Sequence, residues 1–144
     1  MAMTLGSSGT IQVGGSAVAY VKNASFSIQN EMVDSTDMDS SDNWRTFLAG
    51  ARSGTFSFTA NAGALYGGTP DDAEQKAIAD EIVESGGADA LSWVYFPAGT
   101  TTNYYKYSFS GYVEEWSHGM ANNEVVEINV TVRITGAITL AAAT

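Results

Sequence analysis

Few residues in this chain of 144 could do chemistry. A zinc site needs clustered histidine, cysteine or carboxylate ligands, whereas the chain has one histidine, His118, and no cysteine. Ser117 adjoins His118, but neighbouring residues of a strand point to opposite faces, so the two cannot act as nucleophile and base. The same alternation separates the carboxylates of Glu114 and Glu115. We therefore predict no catalytic centre and no cofactor.

An acidic segment at 31–50 holds the best candidate for a metal site. Asp37, Asp39 and Ser41 have the alternate spacing of a calcium-binding loop. That motif also needs glycine at its sixth position and glutamate at its twelfth, where the chain has Asp42 and Leu48. We predict no metal here, with calcium at this loop as the alternative.

The same segment is predicted to be a long acidic loop at about 33–48, because residues 34–43 are almost all Asp, Ser, Thr or Asn. Its apolar end needs an explanation, since large apolar side chains in a polar connection usually dock onto a surface. They could fold back on the protein's own core, or the loop could pack against another subunit. The candidate contact residues are Asp34, Asp37, Asp39, Asp42, Trp44, Arg45, Phe47 and Leu48.

Strict alternation of apolar and polar residues predicts three clear strands, at 24–32, 54–62 and 126–135. The first two bracket the acidic loop and should pair antiparallel. Gly136 is predicted to end the last strand, which leaves 137–144 as a tail. The apolar faces should form one core between two sheets, with Ala24, Phe26, Ile28 and Met32 on the first strand and Phe56, Phe58, Ile128, Val130 and Val132 most buried.

One helix is predicted at about 69–85. Thr69 can cap it and Pro70 suits its first position. Ala73, Ala77, Ile78 and Ile82 recur at helical spacing and should form its apolar stripe. Strands on both sides of a single helix predict one mainly β domain: an antiparallel β-sandwich or barrel with the helix packed outside, preceded by an N-terminal arm at 1–15 that contains a short strand.

The charge of the chain excludes one class of function. Its formal net charge is −10 and only six residues are basic, which argues against a surface that grips nucleic acid by neutralising phosphates. The sequence shows neither a secretory signal pattern nor an apolar run of membrane-spanning length. We expect a protein made and kept in the cytosol of the cell that produces it.

Several segments resemble the major tail protein of long-tailed bacteriophages. The similar segments are the strand that ends in Glu31, the acidic loop, Trp44-x-x-x-Leu48-x-Gly50, Thr55-Phe56-Ser57-Phe58 and the last strand from Val126 to Gly136. The resemblance implies a structural virion protein without enzymatic activity, which forms hexameric rings that stack into a tail tube for DNA delivery. The acidic loop would lie between rings.

The resemblance also implies partners and a location. The protein would bind other copies of itself, a tape-measure protein, a tail terminator and tail-tip proteins. DNA would pass through the tube without specific binding, and no membrane would be involved. The protein would sit in the virion tail after assembly in the host cytoplasm. Acidic side chains that repel phosphate would suit the lumen, and the leading candidates are Glu31, Glu115 and Glu127.

Two other functions remain open from the sequence. A tube subunit of a contractile secretion or injection machine would share the fold and the ring. A β-sandwich module that binds a small ligand or carbohydrate would use aromatic side chains such as Trp93, Tyr95, Tyr104 and Tyr105.

Overall fold

The computed structural model describes residues 9–18, 20–36, 44–63 and 73–143. Some predictions lie outside these residues and are not addressed by the structure. They concern the helix start at Thr69 and Pro70, the calcium spacing, and the positions of Asp37, Asp39 and Asp42.

Seven strands and one helix form the described structure. They are β1 (Thr10–Val13), β2 (Ser16–Ala17), β3 (Val21–Asp34), β4 (Phe47–Asn61), α1 (Ala73–Val83), β5 (Leu91–Phe96), β6 (Tyr105–Gly119) and β7 (Glu127–Ala142). The strands make one antiparallel sheet in the order β2-β1-β5-β6-β7-β4-β3, and its described end strands do not pair to close a barrel. The predicted mainly β fold with one helix is confirmed.

The sheet curls until its far strands face each other. Phe26 lies on β3, at one end of the strand order, yet its ring centroid is 4.8 Å from that of Tyr107 on β6 and 5.8 Å from that of Tyr95 on β5. Rings at these distances are in direct contact. One continuous sheet therefore supplies both layers of a sandwich, and its apolar face becomes the interior.

The interior contains the residues that the alternation predicted. Phe56, Phe58, Ile128, Val130 and Val132 are each at most 2% exposed, so the predicted register of β4 and β7 is confirmed. Trp93 joins them from β5, and its indole nitrogen donates a hydrogen bond of 3.3 Å to the carbonyl of Gly111. Burial, followed by the neighbouring Tyr107 phenol, raises the pKa of Tyr95 above its usual 10.0.

The predicted loop at 33–48 is shorter than the sequence indicated. Val33 pairs with Leu48 and Asp34 with Phe47, so the ladder between β3 and β4 continues into the acidic segment. The prediction that Ile28 and Met32 extend the buried face of β3 is wrong, because both side chains are about half exposed. At this end β4 no longer pairs with β7, so β3 and β4 continue as a two-stranded extension of the sheet.

The prediction that Gly136 ends the last strand is also wrong, since β7 continues to Ala142. Gly136 has a positive φ of 76°. Ser108 of β6 pairs with Thr139 of β7, and Ser110 pairs with Thr135. Between these two pairs β7 has more residues than β6, and Gly136 is one of them. The glycine therefore permits a bulge within the strand, since positive φ carries little steric cost for glycine.

Helix α1 buries only part of the predicted stripe, with Ile82 packed against the core as predicted. Ile78 is fully buried, but Ala73 and Ala77 are exposed and Gln75 is buried instead. The Gln75 amide accepts a hydrogen bond from Gly63 N at 2.8 Å and donates one to the carbonyl of Asn61 at 2.9 Å. These bonds hold the helix against the end of β4, and they account for a polar side chain at a buried position.

The core register gives a direct test. Val130→Asp should destabilise the protein by about 4 kcal/mol or prevent folding, because it places an unpaired carboxylate in the interior. The matched control is Asn129→Asp, which makes the same new side chain on the exposed face of β7. Thermal unfolding by circular dichroism measures both, and a Val130→Asp protein that melts like the control would contradict the assigned register.

Candidate functional site

Beyond the core, β3 and β4 project as a two-stranded hairpin. This hairpin arm consists of residues 27–34 and 47–53, and all of them are exposed. It projects because β4 pairs with β7 only from Thr55 to Asn61, so the part before Thr55 has β3 as its sole strand partner in the described structure. Eight strand residues span about 26 Å. An isolated hairpin is marginally stable in water, so its length and exposure indicate a surface that a partner covers.

The tip of the hairpin arm is fixed by local polar contacts. Asp34 accepts a hydrogen bond of 2.8 Å from Thr36 N and forms an ion pair of 3.2 Å with Arg45. Thr46 N donates to Thr36 Oγ1 at 2.8 Å, and Ser35 N donates to the carbonyl of Thr46 at 2.9 Å. The hydrogen bonds from Thr36, and to a smaller extent the Arg45 guanidinium, lower the pKa of Asp34 below its usual 3.8.

The apolar residues at this tip do not return to the protein's own core. Trp44 is 74% exposed, Phe47 54% and Leu48 62%. Of the two interpretations that the sequence left open, docking on the own core is therefore not what the structure shows. The three side chains are available to another molecule, and Arg45 is occupied by Asp34 of the same chain.

The sheet surface opposite the core forms a second candidate site, here called the polar face. Cross-strand pairing arranges its side chains in rows that run across β3, β4, β7 and β6. The rows are Ser27-Thr55-Arg133-Tyr112, Ser25-Ser57-Thr131-Glu115 and Asn23-Thr59-Asn129-Ser117, followed by the shorter row Asn61-Glu127-Gly119. Hydroxyl and amide groups dominate this surface.

The structure brings two of the three lumen candidates to this face. Glu115 lies opposite Thr131, and Glu127 lies opposite Asn61. Glu31 lies at the register shift between Asn30 and Met32, in the exposed hairpin arm. Glu115 and Glu127 thus belong to the polar face, whereas Glu31 belongs to the hairpin arm.

Two cations at the polar face are held by glutamates of the same chain. Lys22 pairs with Glu127, and Arg133 pairs with Glu114 through two nitrogens, at 3.3 Å and 3.2 Å. Strict strand alternation does not predict this role of Glu114, because it places Glu114 and Glu115 on opposite faces. A register shift between Val113 and Glu115 interrupts the alternation there and brings Glu114 to Arg133.

A family profile described as phage tail tube protein matches residues 7–140. The chain belongs to the phage tail tube protein family. No curated protein sequence matches it.

Solved structures share the fold of this tail tube protein. It is similar to the tail of an empty gene transfer agent particle, refined helically with C6 symmetry, with 18% identity, a TM-score of 0.76 and coverage of 97% of this chain and 100% of that chain. The SPP1 tail tube matches with 17% identity and a TM-score of 0.72 over 97% of this chain and 80% of that one.

A contractile injection system also contains this fold. The sheath-tube complex of the PVC extracellular contractile injection system matches with 12% identity and a TM-score of 0.65, covering 93% of this chain and 88% of that chain. The family assignment gives the protein a structural tail tube role and does not favour the two alternative functions.

Of the residues considered for chemistry, Ser117 and Glu115 lie in rows of the polar face, and Glu114 pairs with Arg133. The rings of Trp116 and His118 pack at 5.3 Å, and no group of three or more potential metal ligands occurs among the described residues. Nor is any described helix long and apolar enough to cross a membrane.

The tip contacts predict a pH dependence. Because the pKa of Asp34 is lowered on folding, its contribution to tip stability should be complete above pH 3.8 and should disappear as the pH falls through the lower folded value. Carbon-13 NMR should give an Asp34 midpoint below 3.8, and Thr36→Val should raise that midpoint more than Arg45→Gln does. A larger effect of Arg45→Gln would show that the ion pair dominates instead.

Proposed function

We propose that this tail tube protein assembles into hexameric rings, and that the rings stack into the tube through which phage DNA is delivered. The observation that carries the proposal is the exposed hairpin arm with its apolar tip, since a free monomer gains nothing from that surface. The gene transfer agent tail, refined with C6 symmetry, shares the fold and supports six subunits per ring.

Free strand edges supply joints for such a ring. β3 has a strand partner on one side only, and residues 112–119 of β6 have none on the side that faces β5 within the described structure. A ring built head to tail needs two different complementary surfaces on each subunit. These two edges meet that requirement, and pairing them would remove the aggregation hazard of exposed edges.

The polar face suits the lumen of the tube. Duplex DNA is held by proteins mainly through lysine and arginine contacts to phosphate. On this face Lys22 and Arg133 are already paired with glutamates, while Glu115 adds negative charge. DNA would therefore meet hydroxyl, amide and carboxylate groups and pass without being retained.

The proposal includes the remaining expectations from the family resemblance. A tape-measure protein would occupy the lumen before DNA ejection, and terminator and tail-tip proteins would bind the two ends of the tube. The single domain would assemble in the host cytoplasm, with residues 1–15 as an N-terminal arm and 33–48 as the stacking segment. Glu31 would contribute to the acidic lining near the ring junction.

Negative-stain electron microscopy tests this function, and Trp44→Ala tests the role of the hairpin arm. Purified protein should form six-fold rings and tubes. Because Trp44 is mostly exposed, Trp44→Ala should shift the monomer melting temperature by only about 2 °C. It should nevertheless weaken stacking by about 2 kcal/mol per contact, as expected for a buried interface tryptophan.

The matched control is Met120→Ala, which truncates another highly exposed apolar side chain away from the hairpin arm. It should assemble normally. Normal tube yield from Trp44→Ala would remove the stacking role, and a protein that stays monomeric under all conditions would refute the proposed function itself.

DNA retention tests the assignment of the lumen. Unmodified tubes should not bind duplex DNA at low salt, whereas Glu114→Gln/Glu127→Gln tubes should retain it in a salt-sensitive manner because both cations are released. Glu114→Gln/Glu84→Gln removes the same total charge but leaves Lys22 paired, so it should retain less DNA. Cosedimentation measures all three, and tight binding by unmodified tubes would contradict the assignment.

A further inference from the structure

A cleft opens where the hairpin arm separates from β7. Thr55 and Arg133 form the last pair between β4 and β7, and beyond it residues 47–54 and 134–142 have no partner on the sides that face each other. The space between them measures about 530 Å³. This volume falls in the range of about 300–1,000 Å³ typical of ligand-binding pockets, so the cleft can receive large side chains.

The cleft is mainly apolar. Its floor is formed at Gly54, where an added Cβ would lie 3.0 Å from Ile134 Cδ1 and 3.4 Å from Ile138 Cδ1. Ile28 forms part of the wall on the hairpin arm side, and Leu140 forms part of the opposite wall. Both are about half exposed, so the cleft is an open end of the hydrophobic core, and filling it would remove apolar surface from water.

The chain's own apolar tip cannot fill this cleft. Ile28 and Arg52 form its rim at the base of the hairpin arm, whereas Asp34 and Phe47 pair at the far end. Six strand residues separate Ile28 from Asp34, which corresponds to about 20 Å. The ladder between β3 and β4 resumes after a register shift between Asn30 and Met32 and reaches Asp34 and Phe47, which holds the tip away from the rim, so a tip in the cleft should come from a second copy.

The charges favour the same occupant. Residues 21–61 contain three basic side chains, of which Arg45 pairs with Asp34 and Lys22 pairs with Glu127 within one chain. Arg52 makes no ion pair among the described residues, and none of the described residues that line the cleft is acidic. The occupant should therefore be apolar and acidic, as the hairpin arm tip is.

We propose that the cleft is the receptor for the hairpin arm tip of a second copy, with Trp44 as the apolar anchor and Arg52 facing the acidic residues beside it. The inference rests on the proposed stacking of rings and names the surface on which the tip docks. Each subunit then carries one tip and one cleft, and this pairing of unlike surfaces repeats along the tube axis without an end.

Disulfide trapping tests the contact directly, because the chain contains no cysteine. Leu48→Cys on the hairpin arm and Leu140→Cys on the cleft wall are prepared as separate proteins, assembled together and oxidised. We expect a crosslinked dimer that joins the two variants. In the control, Val83→Cys at an exposed position of α1 replaces Leu140→Cys. This control should give at least about tenfold less crosslinked dimer.

A Leu48–Leu140 yield no higher than the control yield would overturn the proposal. The chain that carries both substitutions supplies a second check. If it oxidises to a closed monomer instead of a multimer, the tip reaches its own cleft and the proposal is wrong.

Blocking the cleft separates this inference from the proposed function. Leu140→Asp places a charge in the cleft at an exposed position, so the monomer should melt normally and still form rings, with at least about tenfold less sedimentable tube. The control Val83→Asp should assemble fully. If Leu140→Asp assembled into normal tubes, the tip would not dock in the cleft and the proposal would be wrong. Absence of rings and tubes from the unmodified protein would refute the proposed function, and trapping would still report the tip–cleft contact.

Discussion

Contact between Phe26 and the aromatic residues of β5 and β6 determines the shape of this protein. Phe56 lies at the centre of the cluster, with ring centroids 5.3 Å from Tyr95 and 5.4 Å from Phe109. Such pairs each contribute about 0.5–1.5 kcal/mol beyond the burial of their area. Without these contacts β3 and β4 would extend an open sheet with an exposed apolar face. With them the sheet closes over its core, and the polar face becomes the outer surface.

The strands that enclose the core also extend beyond it. β4 contains 15 residues, yet it pairs with β7 only over Thr55–Asn61, and its other half forms the hairpin arm. β7 diverges on the opposite side, where Gly136 allows a bulge. Because β4 and β7 separate next to Ile134 and Ile138, this one separation produces both the hairpin arm and the cleft. A change in strand register there would alter both surfaces together.

Local alternation was sufficient to predict the centre of β4 and β7, because Phe56, Phe58, Ile128 and Val130 repeat with the period of a pleated strand and face the core. It failed where register shifts occur, since a bulge changes the facing of a residue without changing the sequence pattern; Glu114 is the clearest case. Only the outer end of the hairpin arm, at 33–34 and 47–48, was predicted as loop, because its apolar residues pair without being buried. Burial of Gln75 depends on the distant carbonyl of Asn61, which no local pattern encodes.

The charge on the chain as a whole and the charge on the polar face are different quantities. The net charge is −10, but at the polar face Lys22 and Arg133 are paired with glutamates, and the described rows are rich in serine, threonine and asparagine. Repulsion between exposed charges is screened over about 8 Å at physiological salt, so acids elsewhere on the surface act weakly on DNA in the proposed lumen. In the proposed lumen, passage would therefore depend less on strong repulsion than on the pairing that keeps Lys22 and Arg133 from holding a phosphate. Two ion pairs at exposed positions contribute little to folding stability, which makes this local neutralisation the more useful consequence of Glu114 and Glu127.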